Sequence, residues 1–134
     1  MAGYSHRSLA AKLGVRPNTA IAILGAPAGY ARVLGTLPHT VRRKTRASGP
    51  LDLVQLFVTG RAELARRFGG LARTLTPAGA LWVSWPKRAS GVATDLTEDA
   101  VRAVGLSHGL VDVKVCAVDA TWSGLKFVRR VRDR

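Results

Sequence analysis

Residues 19–24, Thr-Ala-Ile-Ala-Ile-Leu, run apolar without polar alternation. This is the pattern of a strand covered on both faces. A strand of that kind needs a layer of structure on each side, which places the chain among α/β folds with a largely parallel sheet. Residues 51–58 and 80–85 supply two more such strands. Between and around them the spacing changes to that of helices. Over residues 61–75 the apolar positions Leu64, Phe68, Leu71 and Leu75 fall on one face, with Arg66, Arg67 and Arg73 largely off it.

The punctuation fits the same series. Residues 8–14 are expected to form an opening helix, capped by Ser5 or Ser8 and ended by Gly14, with a turn at Arg16-Pro17-Asn18. Residues 25–29 are a loop, and Tyr30 starts a short helix that Gly35 and Pro38 end. Residues 39–46 make only a weak strand, because cations crowd its end. Residues 76–79 are expected as a turn and 86–94 as a loop. A helix then opens at residue 96, with Thr97 as its cap and Glu98 and Asp99 in its first turn, and Gly109 stops it after His108. Residues 111–118 and 125–131 close the chain as an antiparallel hairpin around a loop at 119–124. The expected architecture is a three-layer α/β/α sandwich of about six strands, mostly parallel, with right-handed crossovers.

At 134 residues the chain suits one domain, 1–134, with an N-terminal helix and turn over 1–18 and a basic tail over 129–134. Cys116 is the only cysteine, which excludes an internal disulfide and fits a reducing cytoplasm, the location expected here. Within its strand that thiol is expected as a small buried hydrophobe. No secretory leader is read at residues 1–7, and no apolar run approaches a membrane span. The net charge is +13, from 21 Lys and Arg against eight Asp and Glu. Such a field attracts polyanions, and it is equally the mark of a solvated basic surface.

A parallel series closed by an antiparallel hairpin resembles the class I S-adenosylmethionine-dependent methyltransferases. Residues 51–87 carry the likeness, through "Leu-Asp-Leu-Val" at 51–54 and "Leu-Thr-Pro-Ala-Gly-Ala-Leu-Trp-Val" at 75–83. Nearly the whole chain also resembles a small bacterial family known only as a domain of unknown function. That match rests on Gly3-Tyr4-Ser5, residues 26–30, 56–59 and 82–87, and on 113–119 with 121–127. The methyltransferase resemblance implies a sheet in which strand 39–46 lies at one edge, followed in space by 19–24, 51–58, 80–85, 125–131 and 111–118.

The departures from the methyltransferase pattern shape the expected function. Those enzymes place an acid and a glycine-rich loop after the first strand, whereas this loop has only Gly25 and Gly29, with Pro27 between them removing one N–H. An acid at the end of their second strand holds the ribose hydroxyls. Here Arg42-Arg43-Lys44-Thr45-Arg46 stands in that place, and a third strand with its helix is missing. S-adenosylmethionine is therefore expected to bind weakly or not at all. The leading expectation is a non-catalytic or degenerate methyltransferase-like module that binds a small anionic or aromatic ligand or a protein partner. The alternatives are a methyltransferase with an altered cofactor loop and a protein that binds nucleic acid without sequence preference.

In open parallel sheets ligands sit beyond the carboxyl ends of the strands. The residues expected to converge there are Gly25, Pro27, Gly29, Tyr30, Thr59, Arg61, Trp85, Pro86 and Lys87. Tyr30 and Trp85 would supply rings, Arg61 and Lys87 charge, and the helix opening at Tyr30 a positive end. Pro27 and Pro86 shaping turns, with Trp85 closing the core, is the alternative. Trp82 is expected in the core, and Trp122 as an anchor of the hairpin loop. Arg42, Arg43, Lys44, Arg46, Arg129 and Arg130 are the candidate polyanion contacts. His6, His39 and His108 show no metal-ligand spacing, no metal is expected, and no Ser-His-Asp or Cys-His set can be assembled. Asp119 is expected to support a turn.

Overall fold

The computed structural model describes residues 7–134; Ser5, one of the two expected caps, and His6 lie outside the described residues. The strands are β1 (Ala20–Leu24), β2 (Arg42–Lys44), β3 (Leu51–Phe57), β4 (Leu75–Pro86), β5 (Leu110–Ala117) and β6 (Trp122–Arg129). The longer helices are α1 (Leu9–Leu13), α2 (Tyr30–Leu34), α3 (Arg61–Ala72) and α4 (Glu98–Ser107). They form one six-stranded sheet in the order β2-β1-β3-β4-β6-β5. The first four strands are parallel, and β6 runs antiparallel to both its neighbours. This is the expected methyltransferase-like order, with β2 at one edge and nothing beyond it.

Alternation along the strands divides the core in two. Ala20, Ala22, Val54, Leu56, Leu81, Val83, Leu125 and Phe127 pack with Leu64, Phe68 and Leu71 of α3 and Val101 of α4. Ile21, Leu53, Phe57 and Trp82 face the other way, onto Leu9 and Leu13 of α1 and Tyr30 and Leu34 of α2. Both sheet faces are therefore covered, which is why β1 needs no polar alternation. On the second face the two helices have only five residues each, too short to hold without the sheet. The Trp82 indole fixes α1 in place by donating from Nε1 to the Leu13 carbonyl at 2.8 Å.

The expected caps hold. The Ser8 hydroxyl accepts from the Ala11 N–H, and Gly14 ends α1 in a left-handed conformation. Thr97 caps α4 by accepting from the Ala100 N–H. Arg102 on α4 reaches Glu98 at 2.6 Å, Asp99 at 2.9 Å and Asp112 of β5 at 2.8 Å. Its hydrogen bond keeps the Asp112 carboxyl below its ordinary range.

Five expectations are corrected. Helix α3 stops at Ala72 rather than Leu75, because Leu75 pairs with Leu51 as the start of β4. Residues 76–79, expected as a turn, lie within β4. They bulge from its ladder, since Leu51 faces Leu75 and Leu53 faces Ala80. Asp52 pins the bulge by accepting from the Thr76 hydroxyl and from the Ala20 N–H. The hairpin loop is shorter than expected, with Trp122 and Gly124 inside β6; Asp119 accepts from the N–H groups of Thr121 and Trp122, the turn-supporting part expected of it. Cys116 is half-buried on the edge strand rather than fully buried. Arg129 is no part of a free basic tail: it lies in β6, and its guanidinium donates to the carbonyls of Ala72, Leu75 and Thr76 at 2.8–3.2 Å. The bond to Ala72 occupies a carbonyl at the carboxyl end of α3, and the other two hold the start of β4.

Candidate functional site

The carboxyl edge of the parallel strands gathers the loops that the sequence pointed to, but distributes their side chains over both sheet faces. Gly25 leaves β1 with φ 72°, and a Cβ there would stand 2.9 Å from the Phe57 carbonyl oxygen. Its close approach is therefore to β3. Gly29 has φ 81° and open space where a Cβ would project. The Pro27 carbonyl accepts from the Tyr30 N–H, so the proline closes a turn. Gly25, Ala26, Ala28 and Gly29 are exposed and leave this backbone open.

Tyr30 and Trp85 do not face one another. Tyr30 is 3% exposed and packs on the α1/α2 side; Trp85 is 5% exposed and packs on the α3/α4 side. The Tyr30 ring meets Phe57 edge-on at 4.7 Å, and Phe57 meets Trp122 in the same way at 5.1 Å. These three rings pack in a row next to the β1–α2 loop, through Tyr30 at its end and Phe57 beside Gly25. The Tyr30 hydroxyl donates to Gln55 Oε1 at 2.6 Å, and Gln55 Nε2 donates to Ser84 Oγ at 3.1 Å. Gln55 and Ser84 are both fully buried. No signal in the sequence marks this relay, because Gln55 stands in a run that otherwise reads as apolar strand. Its partners come from elements 25 and 29 residues away.

Burial pushes the Tyr30 phenol up to about 12. The native state thus holds a proton that the unfolded chain releases near pH 10, so stability is full below about pH 10 and falls as pH rises towards 12. The loss over that window is expected to be roughly 2 kcal/mol. Absorbance titration of phenolate should show one of the chain's two tyrosines ionising only near pH 12, and Tyr30→Phe should remove that step. A Tyr30 that ionises near pH 10 in the folded protein would contradict this.

The remaining expected residues serve the backbone as well as the edge. Thr59 and Arg61 are exposed; the Thr59 carbonyl accepts from the Thr94 hydroxyl, and the Arg61 N–H donates to Asp95 Oδ1 at 2.8 Å. Asp95 thereby caps α3, whose Gly60 has no side chain to do so. Pro86 is buried, and half-buried Lys87 donates its N–H to the Thr121 carbonyl at 2.7 Å. Beside these loops lies a cavity of about 350 Å³ lined by Arg88, Val92, Thr94, Asp95 and Thr97.

Of the basic candidates, Arg42, Arg43, Arg46 and Arg130 are exposed, while Lys44 is half-buried and donates to the Ser48 carbonyl. The sheet separates the run on β2 from Arg130 beyond β6. His108 ends α4, and its ring lies 5.2 Å from that of Phe68. No group of His, Cys, Asp and Glu suited to a metal occurs among the described residues, nor does any helix long and apolar enough to cross a membrane.

The fold is shared with known enzymes. A Synechocystis magnesium protoporphyrin IX methyltransferase with bound S-adenosylmethionine matches 91% of this chain over 74% of its own, at TM-score 0.61 and 15% identity. The same enzyme with bound S-adenosylhomocysteine matches at TM-score 0.63. A SAM-dependent methyltransferase from Aquifex aeolicus matches at TM-score 0.62 and 14% identity, covering 87% of this chain and 85% of its own. No family model matches the sequence, and no curated protein matches it. The chain therefore has the class I methyltransferase-like fold. The expectation that S-adenosylmethionine binds weakly or not at all is corrected: structural neighbours hold the methyl donor and its product on this fold. Pro27 is a weak argument against that, since it shapes a turn and leaves the flanking backbone exposed.

Proposed function

We propose that this domain binds an S-adenosyl nucleoside, S-adenosylmethionine or S-adenosylhomocysteine, at the carboxyl edge of its sheet. The observation that carries the proposal is the β1–α2 loop. It leaves a strand with neighbours on both sides, its backbone is exposed, and Gly29 keeps the space beside it free. The residues present fit the group in part. Gly25–Gly29 offers exposed backbone with open space beside Gly29, next to the buried rings of Tyr30 and Phe57 and the half-buried ring of Trp122. From β2 the ribose hydroxyls would meet no carboxylate, because that strand ends in Lys44-Thr45-Arg46. Bound there, the donor supplies an activated methyl group, whose transfer depends on positioning more than on a protein nucleophile. Transfer therefore does not require a protein nucleophile among the described residues, and a domain that only senses the nucleoside would bind it in the same place.

Calorimetry with S-adenosylhomocysteine tests this. Saturable binding to the wild-type chain is expected, and Gly29→Asn should abolish it while leaving the circular dichroism unchanged. Asparagine tolerates the left-handed conformation yet fills the open space. No binding up to about 1 mM nucleoside, weaker than ~4 kcal/mol, would overturn the proposal, as would full binding by Gly29→Asn.

A further inference from the structure

A second cavity, of about 400 Å³, opens at the opposite, amino edge of the sheet. Leu13, Leu53 and Ala80 give it an apolar side, and Arg16, Asp52 and Lys126 give it charge. Lys126 is the unexpected member. It stands in β6 between Leu125 and Phe127, both fully buried, and projects to the other face, where its register partner is Trp82. Its Nζ lies 3.7 Å from where a Cβ on Gly14 would be, at the end of α1.

The charges around the cavity do not cancel locally. Lys126 and Arg16 have no side-chain hydrogen bond or ion pair among the described residues. The neighbouring Lys114 donates to the Lys12 carbonyl at 2.9 Å and brings a third cation close. The one lining carboxylate, Asp52, is engaged by the Ala20 N–H and the Thr76 hydroxyl. Burial first, then the charges of Lys114 and Arg16, lower the Lys126 pKa. A half-buried lysine without an acceptor, aimed among like charges, carries a standing cost that an anion relieves.

We propose that this amino-edge cavity binds a small phosphorylated molecule, whose phosphate is held by Lys126 and Arg16. The apolar wall of Leu13, Leu53 and Ala80 suits a short organic group attached to that phosphate, and Thr19, whose hydroxyl donates to the Arg16 carbonyl at 2.7 Å, lines the same space. The site is independent of the carboxyl-edge proposal, since the two lie at opposite ends of the strands.

Inorganic phosphate is the first probe, compared with chloride at equal ionic strength, using amide NMR shifts. Phosphate should shift Gly14, Arg16 and Thr19 saturably in the wild-type chain, and Lys126→Met should weaken binding by about tenfold or more, the loss of a charge-assisted bond. Arg16→Gln, at an exposed position outside the core, should weaken it too. Nucleoside binding at the other edge should be unaffected by either change. Failure here and failure of the carboxyl-edge proposal therefore separate cleanly. A duplex oligonucleotide provides the second arm. If it displaces phosphate and loses affinity with Lys126→Met, the anion is nucleic acid and the small-molecule proposal falls. The proposal also falls if phosphate shifts no amide at the cavity, or if Lys126→Met binds it as well as wild type.

Discussion

Trp82→Ala is expected to cost about 3–5 kcal/mol of stability, read as a fall in the urea midpoint. Trp82 is fully buried on β4, between β3 and β6. Its ring also packs over Gly124, where a Cβ would come within 3.2 Å of Cε3. Truncation leaves a cavity under α1 and removes the donor to the Leu13 carbonyl, leaving that carbonyl short of a partner. Because domains of this kind are stable by about 5–15 kcal/mol in total, that loss is a large fraction of the whole. Trp122→Ala removes a ring of the same size from a half-buried position and should cost much less. Equal losses at the two sites would show that Trp82 is not the anchor described.

Gly105→Ala should destabilise the protein although alanine is the better helix former. Gly105 sits inside α4, and a methyl group there would overlap the ring edge of Phe127 at Cε1, Cδ1 and Cζ. That ring cannot yield easily. Phe127 is fully buried and held by the edge-on ring of Phe68 at 5.2 Å. Helix propensity favours alanine by about 1 kcal/mol; overpacking a tight core costs about 1–3 kcal/mol, sometimes more. With an overlap this deep the second effect should win, for a net loss of roughly 1–2 kcal/mol in chemical denaturation. Gly70→Ala on the exposed side of α3, with its nearest outside atom 3.8 Å away, is the control and should stabilise. Adding Phe127→Leu to Gly105→Ala should recover part of the loss. A neutral Gly105→Ala would mean that α4 does not pack as closely as these distances require.

Much of the fold was legible because its causes are local. The unbroken apolar run of β1, the caps at Ser8 and Thr97, and the stops at Gly14 and Gly109 each act within a few residues. Their elements fall where the sequence placed them. Errors gathered where a distant partner decides. Leu75 is strand rather than helix because Leu51 pairs with it, and Arg129 leaves the basic tail because three carbonyls around the end of α3 accept its protons. The candidate site follows the same division. Topology put the loops at 25–30, 59–61 and 85–87 on one edge, as expected, but strand alternation sent Tyr30 and Trp85 to opposite faces.

Residue order alone carried the layered α/β architecture, and the family resemblance carried the strand order. Periodicity, capping and turn chemistry are short-range and survive in a linear reading. Which side chains meet was settled by packing in three dimensions. The buried Tyr30–Gln55–Ser84 relay, the row of rings from Tyr30 to Trp122, and the crowding of Lys126, Lys114 and Arg16 at the other edge each join residues far apart in the chain. Burial and pairing of polar groups depend on what the fold brings alongside them, and no pattern within one segment records that.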